Sequence, residues 1–345
     1  MKEFTENVFP TQYSVLRADA VGNHIAMEYG IKVSACRLLI HNVSDTYIIE
    51  SGQEKYIFKI YRDNHRTETE IRGEAELLTV FKEKGANISF PLPNMDNNML
   101  TAFNAAEGTR FGMLFTYAQG APVYDLNDMQ LTLLGKEMAI LHTISSTLSL
   151  KNTRRDYNIS TTLTVPLKVI QPAFKNLPEE YTYLVETTAN VVEQMQKLPL
   201  QNFNTGYCHY DFLPKNFYFV GNDKLTFFDF DFAGKGYLIS DITTFYIHYF
   251  FDVLTGKRTR DEADRCFKVF LDAYKQVKPI SDDELKSIRL FGFGFWMFYF
   301  GFHQENFDDW SNYFFTERFI KERIGIIKKW MEYADETHIK SLLSL

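Results

Sequence analysis

Between residues 35 and 61, apolar side chains gather in short runs at 37–40, 46–50 and 55–61, divided by polar, turn-forming stretches at 41–45 and 51–53. Runs of this length, rich in Ile, Leu, Tyr and Phe, predict antiparallel strands in a meander. Residues 9–34, ahead of them, read as helical and mostly polar. Over 68–84, Ile71, Ala75, Leu78 and Phe81 recur near helical spacing and Gly85 supplies a stop, which predicts a helix. Stretches 88–92, 99–104 and 110–116 read as strands again. A turn-rich joint at 117–122 follows. Beyond it the period is helical over 131–145, over 179–197, and from about 240 onward, with two short apolar strands at 217–220 and 224–228 flanking a polar loop. The pattern predicts an α+β chain of two lobes: a β-rich N-terminal lobe over 1–117 and a mainly helical C-terminal lobe over 118–345.

The length of 345 residues suits two domains, and 45% hydrophobic residues supply enough apolar material for their cores. Lys and Arg total 37 against 44 Asp and Glu, a net charge of −7 with no dense basic block, which argues against nucleic acid as a partner. Cys36, Cys208 and Cys266 are far apart and form no Cys-x-x-Cys pair, so neither a zinc site nor a disulfide framework is expected. That usage fits a reducing cytoplasm. The N-terminus lacks an apolar signal core. The most apolar tract, 290–302, is too short to span a bilayer and reads as a buried or pocket-lining helix, so no membrane association is expected. Within it Phe291, Phe295, Phe298 and Phe302 recur at helical spacing, the mark of packing.

Candidate chemistry concentrates in 207–241. His209, Asp211 and Asn216 stand as H-x-D-x-x-x-x-N, Asp229 and Asp231 follow the second short strand, and Asp241 lies further on. Phosphoryl transfer needs an acceptor for the substrate hydroxyl proton, and a carboxylate can be that base. It also needs magnesium, which prefers hard oxygen ligands. A carboxylate, a five-residue step to a carboxamide, then a second carboxylate at a strand end matches the layout of a kinase catalytic loop and its metal-binding Asp. The three-position pattern alone is weak; Asp229 in the right place, after a β-rich lobe, strengthens it.

Residues 207–241 resemble the Brenner-type motif of the aminoglycoside phosphotransferase and choline kinase-like superfamily, which shares the protein kinase-like fold. The matching positions are His209, Asp211, Asn216, Asp229, Asp231, Ala233, Gly234 and Asp241, and 134–142 resembles the family's L-A-x-L-H helix. The resemblance implies a kinase acting on an alcohol group, with Asp211 as the base, Asn216 and Asp229 as Mg2+ ligands, and His209 and Asp241 holding the loop in shape. Three departures leave the subfamily open: Tyr210 in place of the usual Gly, no second His in 212–215, and 237–240 in place of the usual G-D-P run.

The N-terminal lobe would hold ATP or GTP. Lys59, on the third strand, is expected at the α- and β-phosphates; taken alone it reads as a solvent-facing lysine. Glu74 is its expected partner, with Glu70 and Glu76 as competitors. The loop 41–45 lacks a G-x-G-x-x-G pattern and would cover the phosphates with backbone N–H groups and the Ser44 hydroxyl. The strand through Phe115 to Tyr117 resembles the linker that holds the adenine. For the acceptor, Asp231 and the acidic, aromatic stretch Glu305, Asp308, Asp309 and Trp310 are candidates, since Glu305 shares a helical face with the two Asp. They suggest a small, amine-bearing substrate, aminoglycoside-, choline- or homoserine-like; an ordinary acidic helix end explains them equally well. His303 reads as a packing or surface residue. A protein Ser/Thr kinase and a silent pseudokinase stand as alternatives; the missing A-P-E-like segment argues against the first and the complete set Lys59, Asp211, Asn216 and Asp229 against the second.

Overall fold

The computed structural model describes residues 10–62, 65–306, 315–335, 337, 339 and 342. Its contacts divide the chain into two compact units, 1–118 with 150–153, and 119–149 with 154–345.

The first unit begins with helix α1 (Ala18–Tyr29), shorter than the expected 9–34, which buries Val21 and Ile25 and ends at Gly30 in the left-handed region, φ 66. An antiparallel meander follows: β1 (Ala35–His41), β2 (Ser44–Ser51) and β3 (Glu54–Tyr61). Helix α2 (Glu68–Glu83) is opened by a capping box in which Thr67 and Glu70 exchange side-chain to backbone hydrogen bonds. Strands β4 (Pro91–Leu92), β5 (Thr101–Ala105) and β6 (Gly108–Thr116) complete the sheet in the order β1-β2-β3-β6-β4, with β5 also on β6. Only two residues of the expected 88–92 strand pair in the ladder. Tyr47, Ile49, Phe58 and Ile60 share one face and form the core against α1, while Ile48, Lys59 and Tyr61 on the other face are buried as well. One buried ion pair crosses it: Arg110 Nη2 donates to Asp45 Oδ2 at 2.8 Å, and Tyr13 Oη to Asp45 Oδ1 at 2.6 Å.

The second unit opens with α3 (Asp128–Ser145), then β7 (Arg155–Asp156), α4 (Val165–Ile170) and α5 (Pro178–Lys197). Strands β8 (Thr205–Cys208), β9 (Phe217–Val220), β10 (Lys224–Phe227) and β11 (Gly234–Tyr237) come next. Helices α6 (Ile239–Leu254), α7 (Arg260–Lys275), α8 (Asp282–Lys286), α9 (Ile288–Asn306) and α10 (Glu317–Tyr333) close it. The hairpin β9–β10 lies where the apolar runs predict it. A three-stranded sheet β7-β11-β8 does not follow from the sequence pattern, because β7 and β11 are short, Gly-rich or charged. Gly234 is required there: a Cβ would sit 2.4 Å from the Arg155 carbonyl oxygen. Among the described residues no helix is long and apolar enough to cross a membrane.

Candidate active site

Strand β8 delivers His209 into a loop that ends in the 3-10 turn 214–216, and β9 and β10 carry the chain out and back to Asp229. The ends of this unit are stitched together. The Phe228 N–H donates to the Asn216 carbonyl at 3.0 Å. The His209 Nε2–H donates to the Phe228 carbonyl at 3.0 Å, and His209 Nδ1 accepts the Asp211 N–H at 3.3 Å, so both ring nitrogens are used and the imidazole is the neutral Nε2–H tautomer. Asp211, Asn216 and Asp229 thus hang on one hydrogen-bonded frame.

Asp241, in the first turn of α6, anchors the frame from behind. Its buried carboxylate accepts the backbone N–H of His209 at 2.8 Å and of Tyr210 at 2.7 Å, and His142 Nε2 at 3.0 Å. His142 comes from the last turn of α3, and its Nδ1 meets the Tyr274 hydroxyl at 2.8 Å. The expectation that His209 and Asp241 shape the loop has its geometry here. Tyr210 sits in the left-handed region, φ 65, the conformation that the Gly of the resembled motif adopts without strain. The ring is held by stacking on Tyr157, centroids 3.5 Å apart and planes 2° from parallel. Asp229 is also left-handed, φ 62, at an exposed position. Strained non-glycine backbone of this kind gathers at functional sites. Downstream, Arg154 clamps the turn after Asp229: Nε donates to Ala233 O at 2.8 Å and Nη2 to Asp231 O at 2.7 Å.

Asp211 is nearly buried. Its Oδ2 accepts Asn216 Nδ2 at 2.8 Å and lies 2.8 Å from Lys215 Nζ, and the Tyr299 hydroxyl faces the same carboxylate. Asn216 Nδ2 also donates to the Asp211 carbonyl at 2.8 Å, which turns Asn216 Oδ1, a hard oxygen, away from Asp211. That oxygen and the Asp229 carboxylate are hard oxygens of the kind Mg2+ takes. Burial opposes the Lys215 charge, but Asp211 and Asp229 outweigh it and raise the ammonium pKa.

A cavity of about 520 Å³ opens beside Asp211, walled by α6, α9 and α10 of the same unit. From α9 it takes Phe295, Trp296, Tyr299, Phe300 and His303, at helical spacing; from α10, Phe319 and Arg323. The phenol of Tyr299 is kept protonated by burial and then by the Asp211 charge, which together push its pKa well above the usual tyrosine range. Burial, then the Arg323 charge, push His303 down to about 4. Burial holds His248 below the ordinary imidazole range against the pull of Asp252. Both imidazoles are therefore neutral at pH 7. His303 is a cavity residue, beyond packing or surface.

Among the described residues of the same unit, none of the other expected acceptor residues lines this cavity. Glu305 lines a second, 190 Å³ cavity with Arg155 and Phe302. Asp308, Asp309 and Trp310 lie outside the described residues. Asp231 is buried beneath the Arg154 clamp. In the first unit Lys59 is only 6% exposed, on β3 between Thr46 and Met113, which rules out the solvent-facing reading. Of the three glutamates, Glu70 belongs to the capping box, Glu76 accepts the Lys151 and Asn152 N–H groups, and Glu74 is buried. Ser44 is buried at the start of β2, across a two-residue turn from β1. Phe115 is buried on β6, and Tyr117 follows the strand with Lys55 Nζ 5.8 Å from its ring centroid. Sequence reasoning passed over Lys215, Arg154 and Arg323. Lys215 lay in view inside the motif; the two arginines carry no local signal.

The model of the phosphotransferase enzyme family matches residues 36–280. The chain belongs to that family. It is thus a member of the aminoglycoside phosphotransferase and choline kinase-like superfamily. Among relatives of this phosphotransferase, an uncharacterized protein of Synechocystis sp. is 30% identical over 285 residues, 82% of this chain and 77% of the other. Amicoumacin kinase of Bacillus subtilis is 25% identical over 225 residues, 63% of this chain and 64% of the other. A solved amicoumacin kinase in complex with AMP-PNP, Ca2+ and Ami superposes with a TM-score of 0.71 at 19% identity, over 90% of this chain and 94% of that one. The fold is the protein kinase-like fold, in the form used by small-molecule kinases.

Proposed function

We propose that this phosphotransferase moves the γ-phosphate of ATP or GTP to a hydroxyl group of a small molecule. The observation that supports it most is the placement of Asp211: Oδ2 is held by Asn216 and Lys215, and a 520 Å³ cavity opens beside the carboxylate. In this reading the acceptor hydroxyl gives its proton to Asp211 as its oxygen bonds to the γ-phosphorus. The bond from that phosphorus to the bridging oxygen breaks, and the nucleoside diphosphate leaves. Asn216 Oδ1 and Asp229 are the Mg2+ ligands; the bound ion supplies charge neutralisation of the phosphates. Lys215 adds a positive charge next to the base.

For the nucleotide we assign Lys59 to the α- and β-phosphates and Glu74 to orient it. The other two glutamates are already engaged as cap and loop anchor, which supports Glu74. Backbone groups of 41–45 with Ser44, and the strand from Phe115 to Tyr117, complete the nucleotide contacts in this reading, and a nucleoside triphosphate donor suits the cytoplasm. An amine-bearing acceptor draws no support from the described lining of the cavity, where Asp211 is the only acidic side chain among the described residues.

The test is Mg2+-dependent nucleotide binding followed by phosphate-transfer screening of wild type and Asp211→Asn, against small alcohols and one generic protein. Transfer to a small alcohol that is lost in the variant is the expected result. Labelling of the protein alone would replace the reading with a protein kinase, and absence of nucleotide binding would replace it with a non-enzymatic binding module.

A further inference from the structure

The cavity beside Asp211 is lined by donors that lack acceptors. Arg323 reaches it from α10, its guanidinium carbon 5.1 Å from the Trp296 ring centroid and 5.2 Å from that of Phe319. Among the described residues no carboxylate or carbonyl accepts a hydrogen bond from it, so a group with five N–H donors rests on aromatic faces alone. Trp296 Nε1 is buried on the same lining and lacks a hydrogen-bond partner among the described residues, while the Tyr299 hydroxyl next to it faces the Asp211 carboxylate. Buried donors in folded proteins are normally paired. Two unsatisfied donor groups on one lining, Arg323 and Trp296, mark the place of a ligand rich in acceptor oxygens.

We propose that the acceptor is a hydroxy acid, an alcohol whose carboxylate is taken by Arg323 and whose apolar body lies across the aromatic wall of α9. This rests on the phosphotransferase reading and narrows it. A carboxylate is planar and accepts two parallel N–H bonds from a guanidinium fork. Trp296 Nε1 offers one further donor. The aromatic faces of Phe295 and Phe300 suit a flat or branched carbon body and leave it no polar group to match. An amine in place of the acid would meet the like charges of Arg323 and Lys215, which selects against it. The product is the phosphate monoester of the hydroxy acid: the alcohol oxygen gains the phosphoryl group, its proton goes to Asp211, and the carboxylate is unchanged.

The test uses the full chain and two matched series, para-(hydroxymethyl)benzoate and ω-hydroxyhexanoate, each with its carboxamide, its amine counterpart and a phosphate ester in place of the acid. Binding is read by titration calorimetry, and phosphate transfer is followed separately. The expected result is that in at least one series the acid binds about 10- to 100-fold more tightly than the amide, the worth of a charged hydrogen bond, and more tightly than the amine or phosphate. Arg323→Gln should remove that preference and Arg323→Lys should keep part of it. The proposal is overturned if amide, amine or phosphate equals the acid in both series. It is equally overturned if the preference survives in Arg323→Gln, or if no acid binds while nucleotide binding is intact. An Arg323-dependent acid preference without transfer from any nucleotide would leave the ligand class standing and fail the kinase reading. Transfer to amines or neutral alcohols, unaltered in Arg323→Gln, would do the reverse.

Discussion

His142 Nε2 donates a 3.0 Å hydrogen bond to Asp241 Oδ2 across 99 positions of sequence, and both side chains are buried. The same carboxylate takes two backbone N–H groups of the loop that carries Asp211. The proposed base, Asp211, is therefore positioned by a carboxylate on α6 that is itself fixed by an imidazole on α3. Asp241→Asn substitutes a donor for one of two oxygens and leaves a loop N–H facing an NH2 group. Each buried donor left unsatisfied costs about 1–3 kcal/mol. The variant should unfold at visibly lower denaturant and show reduced kcat, measured by chemical denaturation alongside turnover.

Replacing the base itself should separate binding from chemistry. Asp211→Asn keeps the size of the side chain and removes the proton acceptor. Nucleotide binding should persist while turnover falls by about 10²–10⁴-fold. Near-wild-type turnover on the true acceptor would refute the assignment.

Asp229 stands at an exposed, left-handed position at the end of the β9–β10 hairpin. Asp229→Ala should weaken nucleotide binding in the presence of Mg2+ and change little in its absence. Calorimetric titrations with and without the ion give the comparison, and equal affinities for both proteins would remove Asp229 from the metal site.

Tyr210 sets two effects against each other. Tyr210→Gly relieves a left-handed backbone, worth about 1–2 kcal/mol, and removes a buried ring stacked on Tyr157, where loss of a large aromatic costs about 3–5 kcal/mol. The packing loss is larger, so the variant should be less stable by about 2 kcal/mol in denaturant unfolding, although the resembled motif has glycine at this position.

His303 should leave a signature in the pH dependence of stability. Its folded pKa of about 4 lies below the ordinary value of 6.5, so below pH 6.5 the unfolded chain binds a proton that the folded chain refuses. Stability from this group is fully present above pH 6.5 and is lost as pH falls toward 4, by up to about 3 kcal/mol. His303→Gln should flatten that part of the profile relative to wild type.

The hairpin at 217–227 and the meander of the first unit were legible because turn residues and apolar runs are local signals. Asp211, Asn216 and Asp229 were legible because their chemistry demands fixed spacing. The β7-β11-β8 sheet was not, since its short strands contain Gly234, Gly236 and Lys235 and draw their pairing from distant segments. The cavity was half visible: the 290–302 tract announced a buried helix, but nothing near 323 in sequence says that an arginine there would face the same space. Long-range placement of a single charged residue leaves no periodic trace. The acidic stretch after 304 drew attention by composition, yet Glu305 lines a different cavity.

The stacked pair of Tyr157 and Tyr210 also bears on descent. A glycine at 210 leaves the face of residue 157 uncovered, and a small residue at 157 leaves a tyrosine at 210 without the ring that fixes it. Neither change is neutral alone, so the two positions form a unit of inheritance. Across relatives, an aromatic residue at 210 should travel with an aromatic residue at 157, and glycine at 210 should release that position to drift.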